Sequence, residues 1–561
     1  MSDGNDMSDT TETGPVLAAD GTPLKRSLRR ALRAQKLRAL ALIAPLLIFV
    51  MVAFIAPIAD MLFRSAENQI VGNTIPMTVE ELRDWDGGDV PDEQVFRALF
   101  FDVFFAAEAK EHTRLGSRLN YEESGMSSLF RKSGRSVDDF GEVFQDALED
   151  LNPAFGEAQA WYDMMSGGAG AEGATRLMSN QIARLEELSS ESYVGDPGFV
   201  PGARIAGILP NTTREYAAFA AFTHFEEEDV VAEEEPWEAV YAALALDLES
   251  PDTKSALAGY QGPGADLLRQ AAEAQLPPVD MKAAFIEDNK DWARVKFWEV
   301  IKMYSPPYTT GYFLNAVDME KTTQGIALRS QDERIYGLLF KRTMFMSLVI
   351  TFSCIALGYP IAWLLSNLPA RKANLLMILV LLPFWTSLLV RTSAWKVMLQ
   401  QQGVINDTLV WLGLVADENR LVMINNQFGT IVAMTHILLP FMILPMYSVM
   451  QTIPPSYLRA AKSLGATPFT AFWRVYFPQS VPGIGAGSIL VFILSIGYYI
   501  TPEIVGGTTG TFISNRIAYH ISTSLNWGLA AALGSILLAV VLILYWAYDK
   551  MVGIDNVKLG G

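Results

Sequence analysis

Six apolar runs, each long enough to cross a lipid bilayer as a helix, limit what this chain can fold into. A hydrocarbon core of about 30 Å requires about 20 apolar residues in a helix. Within a bilayer the backbone polar groups must be satisfied internally, which a helix achieves by itself. The sequence therefore predicts an all-α integral membrane protein with six transmembrane helices. The predicted spans are 39–63, 344–365, 375–392, 430–450, 484–504 and 528–548.

Charge is divided very unevenly between two parts of the chain. Residues 65–335 contain 49 Asp and Glu against 22 Lys and Arg, whereas the remainder contains 12 acids and 21 bases. The acidic part is rich in aromatic residues, and stretches such as VDDFGEVFQDALEDLNPAF show helical periodicity. We therefore expect a large, mostly helical domain over 70–305, inserted between the first and second transmembrane helices. The run EEEDVVAEEEPWE is expected to be a solvated loop or helix face.

The basic residues orient the predicted spans. Lys and Arg cluster before the first span, at Arg371 and Lys372, and in the loop 453–483. By the positive-inside rule these segments and both termini are cytoplasmic, which places the insert in the periplasm of a bacterium and the chain in its inner membrane. The predicted parts are a disordered, basic N-terminus 1–38, the first helix 39–63, the insert 70–305, a five-helix core 340–548 and a tail 549–561.

Several classes of function are disfavoured by what the sequence lacks. The single cysteine, Cys354, lies in an apolar run and is expected to be a buried core residue. The four histidines are scattered, and neither a nucleophile with its base nor a phosphate-binding glycine loop is apparent. We therefore expect no enzymatic activity, no catalytic residue, no metal site, no cofactor bound by this chain and no nucleic-acid partner. If ATP drives the protein, another subunit hydrolyses it.

Several residues of the loop 453–483 indicate where helices begin and end. Ser456 is expected to cap a short helix, and Gly465 suits the left-handed position that ends such a helix. Thr467 is then expected to cap a second helix that has Pro468 in its first turn. The sequence predicts a helix, a glycine elbow and a second helix at the cytoplasmic surface.

This loop resembles the EAA signature of ABC importer permeases. The matching residues are Arg459, Ala460, Ala461 and, after three further positions, Gly465, with prolines entering the next apolar run. The resemblance implies that the loop docks into a groove on a dimer of ATP-binding cassette subunits. Arg459 stands where the family has a glutamate, so the resemblance does not extend to an ion pair made by that glutamate.

Further phrases resemble the spermidine/putrescine type of these permeases. They are LPFWTSLLVRTSAWKVMLQQQGVIN, LPFMILPMYSVM and GYYITPEIVGG. The resemblance is weak over 39–65, covers 310–548 well and does not include the insert. It implies a permease subunit for a small organic cation, a polyamine such as spermidine or putrescine. The implied partners are ATPase subunits, a second permease subunit, a periplasmic substrate-binding protein and the lipid bilayer.

Candidate substrate residues stand at the outer end of the fifth span. Glu503 follows Tyr498 and Tyr499, and a carboxylate beside aromatic rings suits a polyammonium ion. The alternative for Glu503 is a solvated carboxylate at a helix end. Trp385 is a further candidate for the pathway, although tryptophan is also common as an interfacial anchor.

Two other interpretations stay open. The permease could carry another solute, such as an amino-acid-like compound. From a different class, the chain could be a membrane receptor with a periplasmic sensor domain, but the predicted cytoplasmic segments are too short to contain an output module.

Overall fold

The computed structural model describes residues 24–166 and 172–552. The predicted disorder of 1–23 and the end of the predicted tail, 553–561, lie outside the described residues. The chain divides into two compact units, residues 1–64 and 65–561, and we describe each unit by itself.

The first unit is helical from its first described residue. It consists of α1 (Leu24–Val50), a π-helical turn (Met51–Ile55) and α2 (Ala56–Arg64). The prediction of disorder is therefore wrong for residues 24–38, where leucine, alanine and arginine are good helix formers. Asp60 pairs with Arg64 one turn later, at 2.8 Å.

The second unit begins with a domain built almost entirely of helices. A two-stranded hairpin follows them and, among the described residues, departs from the predicted all-α class. The helices are α3 (Ile70–Thr74), α4 (Pro76–Glu81), α5 (Glu93–Glu108), α6 (His112–Asn120), α7 (Met126–Leu151), α8 (Ala158–Ser166), α9 (Glu172–Ser189), α10 (Ala203–Ile208), α11 (Pro210–Phe225), α12 (Glu238–Leu248), α13 (Pro251–Ala258), α14 (Ala265–Glu273), α15 (Met281–Asp288), α16 (Val295–Met303) and α17 (Gly311–Ala316). Short 3₁₀ turns lie at Pro153–Gly156 and Lys290–Ala293, and the strands are β1 (Met319–Thr322) and β2 (Gly325–Leu328).

We call residues 65–335 the insert. Its continuous hydrophobic core includes α5, which is buried on nearly all sides, and three fully buried tryptophans, Trp161, Trp292 and Trp298. The Trp298 ring lies 4.8 Å from that of Phe96 on α5, in an edge-on arrangement. Buried aromatic residues contribute strongly to the stability of such a core.

Acidic groups crowd one region of the insert surface. The loop between α11 and α12, which carries the acidic run, is largely exposed, as the sequence indicates. Burial and the nearby carboxylates Asp138, Glu238 and Glu227 raise the pKa of Glu108 to about 7. Ionising the Glu108 carboxyl group in the folded insert therefore costs free energy.

The rest of the second unit contains the apolar helices. They are α18 (Tyr336–Asn367), α19 (Ala370–Leu381), α20 (Leu388–Met398), α21 (Val404–Trp411), α22 (Gln427–Gln451), α23 (Pro455–Ser463), α24 (Pro468–Ala471), α25 (Phe477–Gly497), α26 (Ile500–Val505), α27 (Gly507–Gly510), α28 (Ile513–Ser522) and α29 (Trp527–Val552). A π-helical turn (Phe472–Tyr476) joins α24 to α25, and 3₁₀ turns lie at Gln331–Glu333, Leu382–Trp385 and Asp417–Asn419.

Five helical stretches are long and apolar enough to cross a membrane, and a bent pair makes a sixth if it is counted as one span. The five are Gln35–Arg64, Tyr336–Asn367, Gln427–Gln451, Pro468–Gly497 and Trp527–Lys550. The bent pair, Ala370–Trp385 with Leu388–Met398, turns by 92°. The predicted span over 375–392 therefore falls on this bent pair, because Thr386 and Ser387 adopt extended backbone between its two helices.

Helices α18, α22 and α25 form the centre of residues 336–552, which we call the permease part. Small residues allow close approach: a Cβ placed on Gly487 of α25 would lie 2.7 Å from the Met442 sulfur on α22. Ser495 donates to Ser347 across α25 and α18, at 3.1 Å. Cys354 is fully buried in this core, as predicted.

A buried polar cluster, which we call the junction, lies between the insert and the outer helices of the core. Glu122 accepts from Arg118 at 2.8 Å and from Arg329 at 3.1 Å, and all three side chains are at least nine-tenths buried. Asp318 accepts from the backbone N–H groups of Tyr336 and Gly337, at 2.9 and 2.7 Å, which caps α18.

The junction continues toward α28 and α29. The Tyr336 hydroxyl lies 3.0 Å from His520 Nε2, and His520 Nδ1 lies 2.8 Å from the Ser524 hydroxyl. The Tyr312 ring packs so closely on Gly528 that a Cβ there would lie 2.4 Å from it. The insert is thus joined to the permease part by packing and by the buried Asp318 carboxylate that caps α18.

Candidate functional site

The loop 453–483 forms an exposed helix, an elbow and a second helix. The first helix, α23, has no fully buried residue. Its N-cap is Pro454, so the predicted capping role of Ser456 is wrong. Pro455 takes the first helical position, where a missing N–H costs no hydrogen bond, and Ser456 lies inside the first turn.

Gly465 makes the elbow. Its φ is +90°, a left-handed conformation that glycine adopts without a Cβ penalty. Gly465 N–H donates to Lys462 O at 3.0 Å, and Ala466 N–H donates to Ala461 O at 3.1 Å. This pair of bonds is the Schellman motif, which satisfies the last carbonyls of a helix. The predicted left-handed position of Gly465 is confirmed.

The second helix starts where the sequence predicts and continues into the next apolar helix. The Thr467 hydroxyl accepts from Thr470 N–H at 3.2 Å, and Pro468 opens α24. The helix then continues through the π-helical turn into α25, so the fifth span runs Pro468–Gly497 and not from residue 484. Phe477 N–H donates to Phe472 O, five residues back, immediately before Pro478. In the π-helical turn the backbone hydrogen bonds therefore span five residues instead of four, just before Pro478, which has no N–H to donate.

The exposed surface of this loop is apolar and basic. Leu464 is 90% exposed, Phe469 73%, Tyr457 50% and Trp473 47%. Arg459 and Ala460 are also exposed, and Ala461 is half-buried. Exposed large apolar groups beside small and basic residues are typical of a protein-binding surface.

The outer candidate residues are held by a break after α25. Tyr498 is extended, and its carbonyl accepts from the Ser514 hydroxyl at 2.6 Å. Asn515 donates both to Tyr499 O at 2.9 Å and to the Glu503 carboxylate at 2.6 Å. Tyr498, Tyr499 and Glu503 therefore lie on one short segment anchored to α28. Glu503 is exposed. The Asn515 amide holds its carboxylate in position, but an amide is neutral and does not compensate the negative charge.

Trp385 lies elsewhere, at the bend before α20, and is 71% exposed. Among the described residues no hydrogen bond or ring contact joins it to Tyr498, Tyr499 or Glu503. The two regions are linked indirectly, since Thr392 of α20 and Thr501 of α26 share a buried hydroxyl bond of 3.1 Å.

Four residues of the permease part, Asn515, Trp395, His436 and Arg391, were not assigned to the site by sequence reasoning. Asn515 orients Glu503, and nothing in its local sequence marks it. Trp395 donates to His436 Nδ1 at 3.1 Å, which joins α20 to α22. Arg391 has two buried guanidinium nitrogens, Nε and Nη1, with no hydrogen-bond partner among the described residues.

A cavity of about 330 Å³ lies among the described residues of the apolar part. Ten of its eleven lining residues are aliphatic or proline, and His436 is the exception. Such a lining suits hydrocarbon and not a cation. Among the residues that the structure describes, no group of three His, Cys, Asp or Glu side chains is arranged to hold a metal ion.

An apolar helical bundle with an exposed loop helix and a glycine elbow is typical of one class of protein, the permease subunit of an ATP-driven importer. Residues 341–552 match the family described as "Binding-protein-dependent transport system inner membrane component". The chain belongs to this family of ABC importer permeases, and within it to the spermidine/putrescine type. It is accordingly a multi-pass inner-membrane protein.

The relatives support this placement over the permease part. The chain is 33% identical over 220 residues to the spermidine/putrescine transport system permease protein PotB of Salmonella typhimurium, covering 39% of this chain and 76% of that protein. It is 32% identical to PotB of Escherichia coli, covering 39% and 79%. It is 34% identical to the inner membrane ABC transporter permease protein YdcU of Escherichia coli, covering 38% and 70%.

Among solved structures, the chain is similar to a chain of a bacterial alginate ABC transporter in complex with an alginate-bound periplasmic protein. The identity is 19%, the TM-score is 0.35, and the similarity covers 41% of this chain and 81% of that chain.

Proposed function

We propose that this chain forms part of the translocation pathway of an importer for polyamines, of the spermidine or putrescine kind. The observation that carries the proposal is the 33% identity over 220 residues to permeases of spermidine/putrescine transport systems. The substrate arrives on a periplasmic binding protein, a second permease subunit completes the pathway, and ATP-binding cassette subunits hydrolyse ATP.

The coupling loop, α23 with its elbow at Gly465, is the surface proposed to meet the ATPase. Two features support it: α23 has no fully buried residue, and Leu464 and Phe469 are largely exposed to either side of the elbow. Arg459 adds an exposed cation at the family's glutamate position. We propose that the groove of the ATPase subunit supplies a carboxylate to Arg459, the reverse of the usual polarity at this position.

The proposed orientation places both termini and the coupling loop in the cytoplasm and the insert in the periplasm. The supporting observation is the charge partition, with 49 acids against 22 bases in 65–335 and 12 against 21 elsewhere. Basic loops remain on the cytoplasmic side during membrane insertion.

At the other membrane face, the proposed substrate contacts are Glu503, Tyr498 and Tyr499, with Trp385 as a further aromatic residue. A carboxylate held by Asn515 and flanked by two tyrosines attracts an ammonium group by charge and by cation–π interaction. Its exposure leaves it accessible to a solute, and water weakens the attraction accordingly.

A second candidate function is import of a solute that also carries a carboxylate, such as an amino-acid-like compound. The observation that favours it is Arg391, whose buried Nε and Nη1 have no acceptor among the described residues. An arginine in a membrane protein usually faces a partner or a cavity, and a carboxylate is its best-matched acceptor.

Uptake measurements separate the two candidates. The chain is expressed with the ATPase, second permease and binding protein of its own transport system, in cells that lack other polyamine importers. Radiolabelled spermidine, putrescine, ornithine and a neutral diol are then compared. Energy-dependent accumulation of spermidine or putrescine supports the proposal. Accumulation of ornithine without either polyamine refutes it in favour of the second candidate.

A further inference from the structure

The two-stranded hairpin of the insert presents an exposed apolar face. β1 and β2 pair antiparallel, with Met319 opposite Leu328 and Lys321 opposite Ile326. Residues paired in this way share one face of the sheet, and alternate residues point to opposite faces. Ile326 is 67% exposed and Leu328 57%, and Lys321 is exposed beside them. We call Met319, Lys321, Ile326 and Leu328 the hairpin face.

The opposite face of the hairpin is partly covered by the chain itself. Glu320, Thr322 and Ala327 alternate with the residues of the hairpin face and are half-buried. Helix α17, which ends at Ala316, packs against β1. The most exposed apolar side chains of the hairpin, Ile326 and Leu328, therefore both belong to the hairpin face.

Packing places this hairpin where two apolar helices begin. Ala316, three residues before β1, is fully buried in a core cluster with Leu529 and Leu533, on the first two turns of α29. Asp318 caps the first turn of α18, and its carbonyl accepts from the N–H of Arg329, the residue after β2, at 3.0 Å. The hairpin is therefore fixed to the first turns of α18 and α29, both long and apolar enough to cross a membrane.

The same level of these helices has the exposed residues of a membrane–water boundary. Trp527 is the first residue of α29 and is exposed, as is Leu525 just before it. Leu338, in the first turn of α18, is exposed as well. Tryptophan is enriched at the boundaries of a bilayer, and exposed leucines beside it are typical of contact with lipid. The hairpin therefore lies at the depth of the lipid headgroups.

The chemistry of the hairpin face fits a lipid surface. Ile326 and Leu328 suit the boundary between headgroups and acyl chains, where apolar side chains of surface-bound elements insert. The long Lys321 side chain can direct its ammonium group to lipid phosphates. The turn residues Thr323 and Gln324 are polar and exposed, which suits the headgroup region and not the hydrocarbon. A stable protein interface takes about 20–30 residues from each partner, and this face offers four.

We propose that the hairpin face rests on the bilayer surface, so that the insert is anchored to lipid as well as to α18 and α29. The part of the insert next to these helices then cannot lift from the membrane without extracting Ile326 and Leu328 from the headgroup boundary. The proposal holds for either orientation of the chain in the membrane and does not depend on the transported solute.

Fluorescent labelling of the full-length chain in lipid nanodiscs tests this proposal. Cys354 is the single cysteine and is fully buried, so the thiol of Ile326→Cys is the accessible one. It is labelled with a small maleimide fluorophore, in nanodiscs of phosphatidylethanolamine and phosphatidylglycerol. The matched control is Val194→Cys, in the loop between α9 and α10, where the native side chain is 94% exposed.

Two quenchers report the surroundings of each label. Lipids with a nitroxide close to the headgroup should quench the Ile326→Cys label at least about twofold more than the control label, and aqueous iodide at least about threefold less, because the label lies among lipids. Equal quenching at the two positions would place the hairpin face in water and overturn the proposal.

A second measurement avoids the fluorophore. The thiol of Ile326→Cys should react with a charged, water-soluble thiosulfonate at least about tenfold more slowly than that of Val194→Cys, since such a reagent is excluded from the acyl boundary. Equal rates would overturn the proposal. Protection that appears only when the binding protein or the second permease subunit is added would assign the hairpin face to a protein partner. Protection without quenching by nitroxide lipids would mean that the chain itself covers the face, and either result overturns contact with lipid.

Discussion

The elbow at Gly465 provides the sharpest test of the coupling loop. Its φ of +90° is unfavourable for a residue with a Cβ, and a β-branched side chain is the worst case. A Cβ at this position would meet no atom within 4 Å, so Gly465→Val introduces backbone strain without a steric clash. A left-handed residue other than glycine costs about 1–2 kcal/mol, which corresponds to a factor of about 5–30 in the population of the docked conformation.

The chain offers a matched control for this substitution. Gly413, in the loop after α21, has a φ of +70° and also no atom within 4 Å of an added Cβ. Gly413→Val therefore applies comparable strain outside the coupling loop. Gly465→Asn should retain most of the activity, since asparagine tolerates the left-handed region better than other residues.

Two readouts are needed. ATP-dependent uptake into membrane vesicles should fall by about 5- to 30-fold in Gly465→Val, the factor that follows from the strain. Co-purification of the ATPase subunit with the tagged chain should fall with it, while the amount of chain in the membrane stays unchanged. Uptake at the wild-type rate by Gly465→Val, or an equal loss in Gly413→Val, would show that the elbow does not position the docking helix.

Three further predictions address the substrate end, the insert and the orientation. Glu503→Gln should lower spermidine uptake several-fold without affecting ATPase co-purification. The control variant Glu418→Gln changes an exposed loop acid and should leave uptake unchanged. A wild-type rate of uptake in Glu503→Gln would show that Glu503 is not part of the pathway. The folded-state pKa of Glu108 is raised from 4.5 to about 7, so stability is lost as pH rises through that window. Glu108→Gln should therefore raise the melting temperature at pH 8 and flatten its pH profile in scanning calorimetry; an unchanged profile would contradict the cost assigned to burial and to the neighbouring carboxylates. Reporter fusions should be periplasmic at Ser190 and cytoplasmic at Gly561, and the same signal at both would defeat the topology.

The features that could be predicted from sequence are those determined by local composition. Apolar length identifies the membrane helices, and Gly465 can be assigned a left-handed turn because few other residues adopt one readily. The bend before α20 could not be predicted in this way. The run around Pro383 is uniformly apolar, and the break depends on extended backbone at Thr386 and Ser387.

The π-helical turn before Pro478 was missed for a related reason. Proline normally indicates a helix end, and the prolines at 478 and 482 suggested that the span begins after them. In the structure both lie within the continuous helix that runs from Pro468 to Gly497. A proline inside a membrane helix is tolerated where the local bonding pattern adjusts.

The junction could not be predicted at all. Arg118 on α6 and Glu122, just after that helix, are four positions apart, but Arg329 lies 207 positions from Glu122 in sequence. Each alone resembles an ordinary surface charge of an acidic domain. Only the fold shows that they are buried together, in a cluster whose disruption would leave an uncompensated charge.

The cap at Asp318 ties the insert to the first turn of α18. The same residue accepts the first N–H groups of α18 and, through its own carbonyl, the N–H of Arg329, which in turn pairs with Glu122. If α18 tilted during transport, these contacts would carry the insert with it. The insert would then act as a lever arm, converting a small rotation of α18 into a larger displacement at its far end.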